Sequence, residues 1–482
     1  MPVRLEGRRI PGGRSRAEYR GRRPLSREFM NTHDLYVKTP PLKLFFFAAL
    51  PGSISMLASA LYQLIDGMLV GQLLSATAFA ALNLAMPFVI INFALADLIG
   101  VGSSVPISIH LGQGHDEEAN NIFTCACLMI VITGAVVGAI MYALAPALIA
   151  MMGAEGEFAQ LAVSYLRVYA LCSPVTTIVF ATDNYLRISG RVRTSMALNI
   201  VMSVLSAGLE FLFLGVIGMS IEGAALGTCL GMVICAIAAL SFFATGRLQL
   251  RFCRPKFNFP MIRQIVKCGT PNFLNNIAGR ITSVLMNMLL VRLGGQNAVS
   301  VYGILMYVDG FVQPLLYGMC DSLQPAVGYN WGARRLDRVK SIERCCFTAG
   351  GILSLASAVV IFLIPGPIAS LFATDAALIG QAAAALRLFS ATYITRWFSF
   401  ATQSYMLAVE HSLQASVISV CTALVFPVLL IAALWPLGLT GIWLNFAGTS
   451  VLAAALSAVV MLRFRKDFRR VAEEAAGKAA EG

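Results

Sequence analysis

The first long apolar run of the chain is LFFFAALPGSISMLASALYQLIDGMLVG, residues 44–71. About 20 apolar residues span the hydrocarbon core of a bilayer, so this run is long enough to cross a membrane with some tilt. A single carboxylate, Asp66, lies inside it. A charge at membrane depth costs at least about 2.5–3.5 kcal/mol, so an acid in this position is a candidate functional residue.

The composition of the whole chain is that of a membrane protein with many spans. Of its 482 residues, 58% are hydrophobic and 12% are charged, and the mean hydropathy is +0.75. A soluble chain carries about 25% charged residues. The predicted fold class is therefore an all-α polytopic membrane protein with twelve transmembrane helices. Their approximate limits are 44–72, 77–109, 121–150, 159–186, 194–216, 221–244, 264–291, 298–328, 345–366, 378–408, 413–435 and 438–462.

The basic residues are concentrated on one side of the membrane if the N-terminus is placed inside the cell and the spans alternate. The segments that then face the cytoplasm hold 31 of the 36 Lys and Arg residues. This bias predicts a multi-pass protein of the cytoplasmic membrane with both termini in the cytoplasm. It also explains the net charge of +12 without a nucleic-acid partner.

The two halves of the chain match each other without a gap at an offset of 220 residues. Pro51 falls on Pro271, and Gly112 falls on Gly332. Six spans per half place both halves in the same sense across the membrane, and transporters built from such repeats hold substrate between two lobes. We predict a disordered basic cytoplasmic arm, an N-terminal six-helix lobe, a cytoplasmic inter-lobe linker, a C-terminal six-helix lobe and a cytoplasmic tail. Their limits are 1–43, 44–246, 247–263, 264–462 and 463–482.

Four stretches of the sequence are similar to motifs of the multidrug and toxic compound extrusion (MATE) family. They are LIDGMLVG (64–71), DNYLRISG (183–190), EGAALGT (222–228) and LQPAVGYNWGA (323–333), and the resemblance covers about residues 44–462. It implies a secondary active antiporter that exports amphipathic, cationic compounds or drugs in exchange for H⁺ or Na⁺ by alternating access. The coupling ion is the only cofactor that the resemblance implies.

Two acids in the N-terminal half are predicted to lie at the same depth in the membrane. Asp66 comes about 33 Å along a helix that enters from the inside, and Glu210 lies late in the fifth span, which runs in the same direction. Thr228, early in the sixth span, and Ser206, one turn before Glu210, reach a similar depth. Two carboxylates and two hydroxyls could bind Na⁺ as hard oxygen ligands, or the two acids could share one proton.

The resemblance implies a role for the same four positions. The MATE family has an Asp in the first span, an Asn and an Asp one turn apart in the fifth, and a Thr in the sixth. This chain has Ser206 and Glu210 where the family has Asn and Asp. Because Asp66 falls on Met286 and Glu210 on Leu430 at the 220 offset, we expect the branch whose ion site lies in the N-terminal lobe. The alternative is that the two acids only hold helices together.

Other polar residues at membrane depth are candidates for lining a substrate cavity between the lobes. They are Asp97, Asp183, Asn184, Asn276, Asp309, Gln313 and Gln403. Pro51, inside the first span, is a candidate hinge because an interior proline removes a helix hydrogen bond.

The sequence leaves two other functions open. One is a flippase for lipid-linked precursors from the same superfamily, although such proteins usually have fourteen spans and more cationic grooves. The other is a membrane protein that does not transport, but no cluster of His, or of Cys and His, in the spans supports an enzyme. No metal site is expected beyond Na⁺ at Asp66 and Glu210. The expected partners are small organic cations or drugs and the lipid bilayer, and the chain is expected to be a monomer.

Overall fold

A computed structural model describes residues 32, 34–246, 248–373 and 375–480, and most of them are helical. We number the membrane helices in chain order, and a short helix, Pro365–Ser370, lies between α9 and α10. They are α1 Pro41–Leu73, α2 Ala76–Gln113, α3 Asp116–Met151, α4 Gly156–Ile188, α5 Val192–Val216, α6 Ile221–Ala244, α7 259–294, α8 296–332, α9 Leu336–Leu363, α10 376–408, α11 412–434 and α12 Gly438–Ala480.

Twelve crossings of the membrane follow from these helices. Nine helices of the described chain are long and apolar enough to cross, and α10, which bends by 47°, makes ten. Two of the nine are long enough to cross twice, because a bilayer core needs only about 20 helical residues. The 74-residue helix Phe259–Gly332 is interrupted at Gly295, where φ is 60° and ψ is −152°. The 55-residue stretch Ser412–Lys466 is interrupted at Gly438, whose φ is 56°. The predicted fold class is confirmed.

The turns between helices repeat at the 220-residue offset. Gly114 ends α2 with a φ of 80°, and Gly190 follows α4 with a φ of 74°. The residues at the equivalent positions of the second half are Arg334 and Glu410, with φ values of 56° and 65°. A positive φ is uncommon outside glycine, and these two are the positive-φ residues other than glycine in the described chain. The same backbone turn is therefore kept in both halves despite different side chains.

Helices α1–α6 pack on one another, as do α7–α12, and we call these groups the first and second lobes. The lobes meet mainly through α1 and α2 on one side and α7 and α8 on the other. The backbones of the two lobes lie directly against each other at two glycines related by the repeat. A Cβ on Gly112 would lie 2.0 Å from the Tyr329 carbonyl oxygen, and one on Gly332 would lie 2.1 Å from that of Ile109. Only glycine allows two backbones to touch in this way. We call the end of the bundle that carries Gly112, Gly332 and the basic residues of 334–344 the basic face.

Residues 34–43 are part of the fold, so the prediction that the disordered arm extends to residue 43 is wrong. Asp34–Lys38 forms a π-helical turn, and α1 begins at Pro41. Leu35, Tyr36 and Val37 are each at most 4% exposed. Burial of three consecutive apolar side chains holds the segment against the basic face. Residues 1–31 and 33 lie outside the described residues.

Candidate functional site

Asp66 of α1 and Glu210 of α5 face each other inside the first lobe. Their carboxyl groups lie within hydrogen-bonding range of each other, and the two residues are 6% and 0% exposed. In the described part of the chain, Oδ1 of Asp66 and both carboxyl oxygens of Glu210 have no hydrogen-bond donor. An ionised carboxylate can only accept hydrogen bonds. Two buried carboxyl groups in this arrangement are stable only if they share a proton or a cation.

Hydroxyl groups lie next to this pair of acids. The Tyr62 hydroxyl, one helical turn before Asp66, lies 2.6 Å from Thr228 Oγ1 on α6. The Ser206 hydroxyl, one turn before Glu210, donates a 3.5 Å hydrogen bond to the Thr228 carbonyl oxygen. The structure therefore brings together the four residues of the predicted N-terminal ion site, and it adds Tyr62 to them.

Two tyrosines of α4 also lie near Asp66. Tyr165 and Tyr169 are 0% and 5% exposed, their ring centroids are 5.1 Å apart, and both interact electrostatically with Asp66. Sequence reasoning did not find these tyrosines or Tyr62, because it considered only carboxylates and small hydroxyl residues. The spacing of four residues between Tyr62 and Asp66, which puts both on one helix face, is the signal that identifies Tyr62.

Two glycines of α6 allow its backbone to lie directly against the acid-bearing helix. A Cβ on Gly227 would lie 2.8 Å from Glu210 Cα, and a Cβ on Gly231 would lie 2.1 Å from Ser206 Oγ. Glycines four residues apart are the usual means by which membrane helices approach this closely. The position of Glu210 relative to Thr228 therefore depends on these two glycines.

Replacing Gly227 with valine is expected to destabilise the protein by about 1–3 kcal/mol, because the new side chain overlaps the α5 backbone at Glu210. Thermal unfolding of the purified protein in detergent measures the loss. The control is Gly208→Ala on α5, where an added Cβ meets no atom within 4 Å and the fold should be unaffected or slightly stabilised. Equal stability of the Gly227→Val variant and wild type would show that α5 and α6 are not closely packed.

The second lobe has apolar residues at the equivalent positions. Met286, which occupies the place of Asp66, is 1% exposed, and Leu430 occupies the place of Glu210. The position of Thr228 is taken by Gly448, and a Cβ there would lie 2.9 Å from a Leu430 methyl carbon. An apolar contact thus replaces the pair of acids in the second lobe.

Asp309, a cavity candidate in the second lobe, is paired within the protein. It is 7% exposed and accepts hydrogen bonds from the Tyr393 hydroxyl at 2.7 Å and from Arg396 at 2.9 Å. The guanidinium neutralises its charge, and so Asp309 differs from Asp66, which has no basic partner among the described residues.

Asp183 is likewise held by an ion pair, and the pair reaches the other lobe. Its Oδ2 lies 2.5 Å from Arg187, a residue that is 1% exposed, and Asn199 donates to Oδ1 at 2.7 Å. Arg187 also donates a 3.2 Å hydrogen bond to the Ser322 hydroxyl on α8 of the second lobe. The network links the two lobes near the basic face.

The remaining cavity candidates form no hydrogen bond, within the described ranges, to the Asp66 cluster, by which we mean Asp66, Glu210, Tyr62, Ser206 and Thr228. Asp97 interacts electrostatically with Asp321, so the two lobes bring an acid each to their interface. The Asn184 amide donates to a carbonyl oxygen of its own helix at 3.3 Å, and Gln313 donates to the Tyr317 hydroxyl at 3.3 Å. Of the other two candidates, Asn276 is half-buried and Gln403 is 8% exposed.

Pro51 lies where α1 meets the second lobe. α1 continues through Pro51 without a break, and a Cβ on the next residue, Gly52, would lie 2.5 Å from the Gly318 carbonyl oxygen of α8. The Ser53 hydroxyl donates to the Leu315 carbonyl oxygen at 2.9 Å. One continuous helix therefore connects this inter-lobe contact to Asp66, four turns further along.

One group of possible metal ligands occurs in the described chain, although the sequence predicts none. Nitrogens of His110 and His115 and a carboxylate oxygen of Glu118 lie within 4.8 Å of one another. His115, which precedes α3, and Glu118 in its first turn are exposed and form a 3.4 Å contact. Exposed pairs of this kind are common on helix surfaces, and the expectation of no metal site stays a prediction.

The comparisons with known proteins agree with the repeat. A family model described as MatE matches residues 51–212 and 271–432. The two matches begin 220 residues apart, which is the offset of the internal repeat. Together they cover more than half of the chain.

Curated relatives and solved structures extend the likeness over nearly the full length. The chain is 26% identical over 446 residues to the multidrug export protein MepA of Staphylococcus aureus (strain N315), which covers 90% of this chain and 98% of that protein. MepA of Staphylococcus saprophyticus is 24% identical and covers 86% of this chain and 93% of its own length. A solved structure of a multidrug resistance MATE family transporter in an outward-facing conformation has the same fold, with a TM-score of 0.87, 22% identity and coverage of 92% of this chain and 100% of that chain. The chain therefore belongs to the MatE family, and it is a membrane transporter rather than an enzyme.

Proposed function

We propose that this transporter exports amphipathic organic cations or drugs, and that Asp66 and Glu210 couple export to the entry of H⁺ or Na⁺. The observation that carries the proposal is the buried pair of carboxyl groups that lacks a donor in the described chain. The relatives that span most of the chain are named multidrug export proteins. The positions equivalent to Asp66 and Glu210 hold Met286 and Leu430, which are not acids. This supports assigning the chain to the branch of the family whose ion site lies in the first lobe.

The coupling step follows from electrostatics between the two acids. With a shared proton or cation, Asp66 and Glu210 attract each other and hold α1 against α5. When the ion leaves, two negative charges face each other in surroundings of low dielectric, where their repulsion is several times stronger than in water. The repulsion moves α1 away from α5, and binding of the next ion reverses the movement.

The movement of α1 can reach the substrate pathway through the same helix. α1 packs against α8 at Gly52 and Ser53, so a displacement at Asp66 changes the contact between the lobes. In this mechanism ion binding re-packs α1 near Pro51 and releases the substrate to the outside.

The proximity of the two carboxyl groups favours H⁺ over Na⁺. A single proton satisfies a hydrogen bond between two carboxyl groups, whereas Na⁺ needs several oxygen ligands around it. Glu210 is one methylene longer than the family's Asp, so its carboxyl group extends further towards Asp66. Thr228 Oγ1, a potential Na⁺ ligand, is already engaged with the Tyr62 hydroxyl at 2.6 Å.

The orientation proposed from the charge distribution places the basic face in the cytoplasm. On that face the π-helical turn Asp34–Lys38 bridges the lobes. The Tyr36 hydroxyl bonds to the Arg187 carbonyl oxygen of the first lobe. Its own carbonyl oxygen accepts from Asn330 at 3.0 Å and from Arg338 at 2.7 Å in the second lobe. These contacts close the cytoplasmic end, as expected for an outward-facing state, and they must break for substrate to enter.

Transport by the purified protein in proteoliposomes tests the function. Vesicles with an imposed pH gradient are expected to drive movement of a fluorescent organic cation, and vesicles with a Na⁺ gradient alone are expected to drive little. Movement driven by Na⁺ alone would assign the site to Na⁺ instead. A protein that moves only lipid-linked sugars under either gradient would contradict drug export and favour the flippase.

A further inference from the structure

Two cysteine thiols meet inside the second lobe, between α8 and α9. The Sγ atoms of Cys320 and Cys346 lie 3.7 Å apart, and the two residues are 4% and 9% exposed. Neither belongs to the Asp66 cluster, and no step of the proposed transport mechanism uses them. The thiolate form of such a group is a strong ligand for soft and borderline metal ions.

A small cavity of about 20 Å³ adjoins the two thiols. Its wall also includes three side chains with oxygen atoms, which are Gln324 of α8, Glu343 of α9 and Ser404 of α10. A volume of about 10–15 Å³ is enough for one water molecule, so a metal ion fits beside the thiols. Oxygen donors on three helices, or water, can complete the coordination that the two sulfurs begin.

The separation of the two sulfur atoms matches a tetrahedral zinc site. Zinc binds thiolate sulfur at about 2.3 Å in tetrahedral geometry, which sets two sulfur ligands about 3.8 Å apart. Cys320 and Cys346 have nearly this separation already. A disulfide bond, in contrast, would require the two sulfurs to approach each other by roughly 1.7 Å.

The charges around the cavity favour a divalent ion. Metal binding breaks two S–H bonds and forms two metal–sulfur bonds, and two protons leave to the solvent. Two thiolates and a divalent ion sum to zero, so the buried site gains no net charge. Glu343 is already neutralised by Arg465 at 3.0 Å. A monovalent ion with two thiolates would add a negative charge near Asp321, which interacts electrostatically with Cys320.

The first lobe has small side chains at the equivalent positions. Cys320 and Cys346 fall on Gly100 and Ala126 at the 220 offset. A Cβ on Gly100 would lie 2.9 Å from the Ala181 Cβ, so α2 packs directly against α4 at this point. The pair of thiols therefore distinguishes the second lobe and is not required by the repeated fold.

Cys320 lies on the part of α8 that contacts the first lobe. A Cβ on Gly318, two residues before it, would lie 2.4 Å from the Gly52 carbonyl oxygen of α1. Ser322, two residues after it, accepts a hydrogen bond from Arg187. An ion bound by both thiols would tie this contact segment of α8 to α9.

We infer that Cys320 and Cys346 form a binding site for Zn²⁺ in the second lobe. Water or the oxygen donors of the cavity wall take the remaining positions around the ion. The inference goes against the sequence-based expectation of no metal site beyond Na⁺. The two cysteines lie 26 residues apart on different helices, and the short spacings by which zinc motifs are recognised in a sequence do not include such a pair.

Zinc binding by the full-length protein tests the site. Purified protein in detergent is stripped of metal, kept reduced with a phosphine, and titrated with Zn²⁺ against a chromophoric chelator that reports the number of ions bound. Cys320→Ser and Cys346→Ser should each bind one tight Zn²⁺ fewer than wild type, because losing one arm of a two-point site weakens binding by about 100-fold or more. The double variant should lose no further ion. Zn²⁺ held elsewhere is common to all four proteins and cancels in the comparison.

Two further measurements show whether the variants fold and whether thiolates hold the ion. Serine differs from cysteine by one atom, and thermal unfolding of the metal-free variants verifies that they are as stable as wild type. Cd²⁺ takes the same tetrahedral geometry and absorbs by sulfur-to-metal charge transfer when thiolates bind it. Wild type should show this absorbance, and both single variants should show less of it.

The matched control is Cys345→Ser, which removes a half-buried thiol next to Cys346 on α9. It should bind as many Zn²⁺ ions as wild type. Equal numbers of tight ions in wild type and Cys346→Ser, or the loss of an ion in the control, would overturn the site. The loss of two ions in the double variant, or Cd²⁺ binding without charge-transfer absorbance, would also contradict a single ion held by both thiols.

Discussion

Asp66→Asn and Glu210→Gln are each expected to reduce export driven by an ion gradient by about 100-fold or more, equivalent to roughly 2.7 kcal/mol. Each amide keeps the shape of the acid but cannot release a proton, so the repulsion that moves α1 never develops. Neither variant strands a buried charge, and both should remain folded. Accumulation of a fluorescent cation in proteoliposomes with an imposed pH gradient measures the loss.

Two exposed acids provide matched controls for these variants. Glu222→Gln alters the first turn of α6, in the same lobe as Glu210, and Asp337→Asn alters the first turn of α9. Both side chains face away from the protein interior, and both variants should transport as wild type does. If Asp66→Asn and Glu210→Gln also transport at the wild-type rate, the two acids only hold helices together.

Arg187→Met is expected to destabilise the protein by about 3 kcal/mol, because it leaves the largely buried carboxylate of Asp183, 13% exposed, without its partner. The pair is short, at 2.5 Å, and Arg187 is 1% exposed. The substitution also removes the hydrogen bond from Arg187 to Ser322 that joins the lobes. Thermal unfolding in detergent, compared with wild type, measures the change.

The double variant Asp183→Asn/Arg187→Met separates the charge effect from the packing effect. It has no stranded charge, and the amide oxygen introduced at position 183 can still accept hydrogen bonds from Asn199 and Ser195, which both bond to Asp183 in wild type. We expect it to recover at least half of the stability lost in Arg187→Met. A double variant as unstable as the single one would mean that the ion pair is not the source of the loss.

Hydropathy and charge predict the membrane helices well because the bilayer core imposes one length and one composition on each of them. The predicted span 221–244 coincides with Ile221–Ala244. The predictions fail at helix ends, and α9 begins at Leu336 rather than near 345. Backbone hydrogen bonding continues the helix into the charged headgroup region, where an apolar pattern no longer marks it.

The candidate site could be predicted only in part, for a physical reason. The repeat offset alone shows that the second lobe has Met286 where the first has Asp66, so this difference between the lobes can be predicted from the sequence. The pairing of Asp309 with Arg396 joins residues 87 apart in sequence on different helices, and periodicity within one helix does not reveal it. The buried turn around Tyr36 was missed because three apolar residues within a basic arm are too few to indicate a span.

A count of the ions released on substrate binding tests the proposed coupling site most directly. Calorimetry in two buffers of different ionisation enthalpy gives the number of protons released, and a Na⁺ electrode gives the number of Na⁺ ions. Antiport requires that ion and substrate weaken each other's binding. Wild type should therefore release about one ion per bound organic cation, and Asp66→Asn/Glu210→Gln should bind the cation and release none. Release of the same number of ions by the double variant would place the coupling site elsewhere.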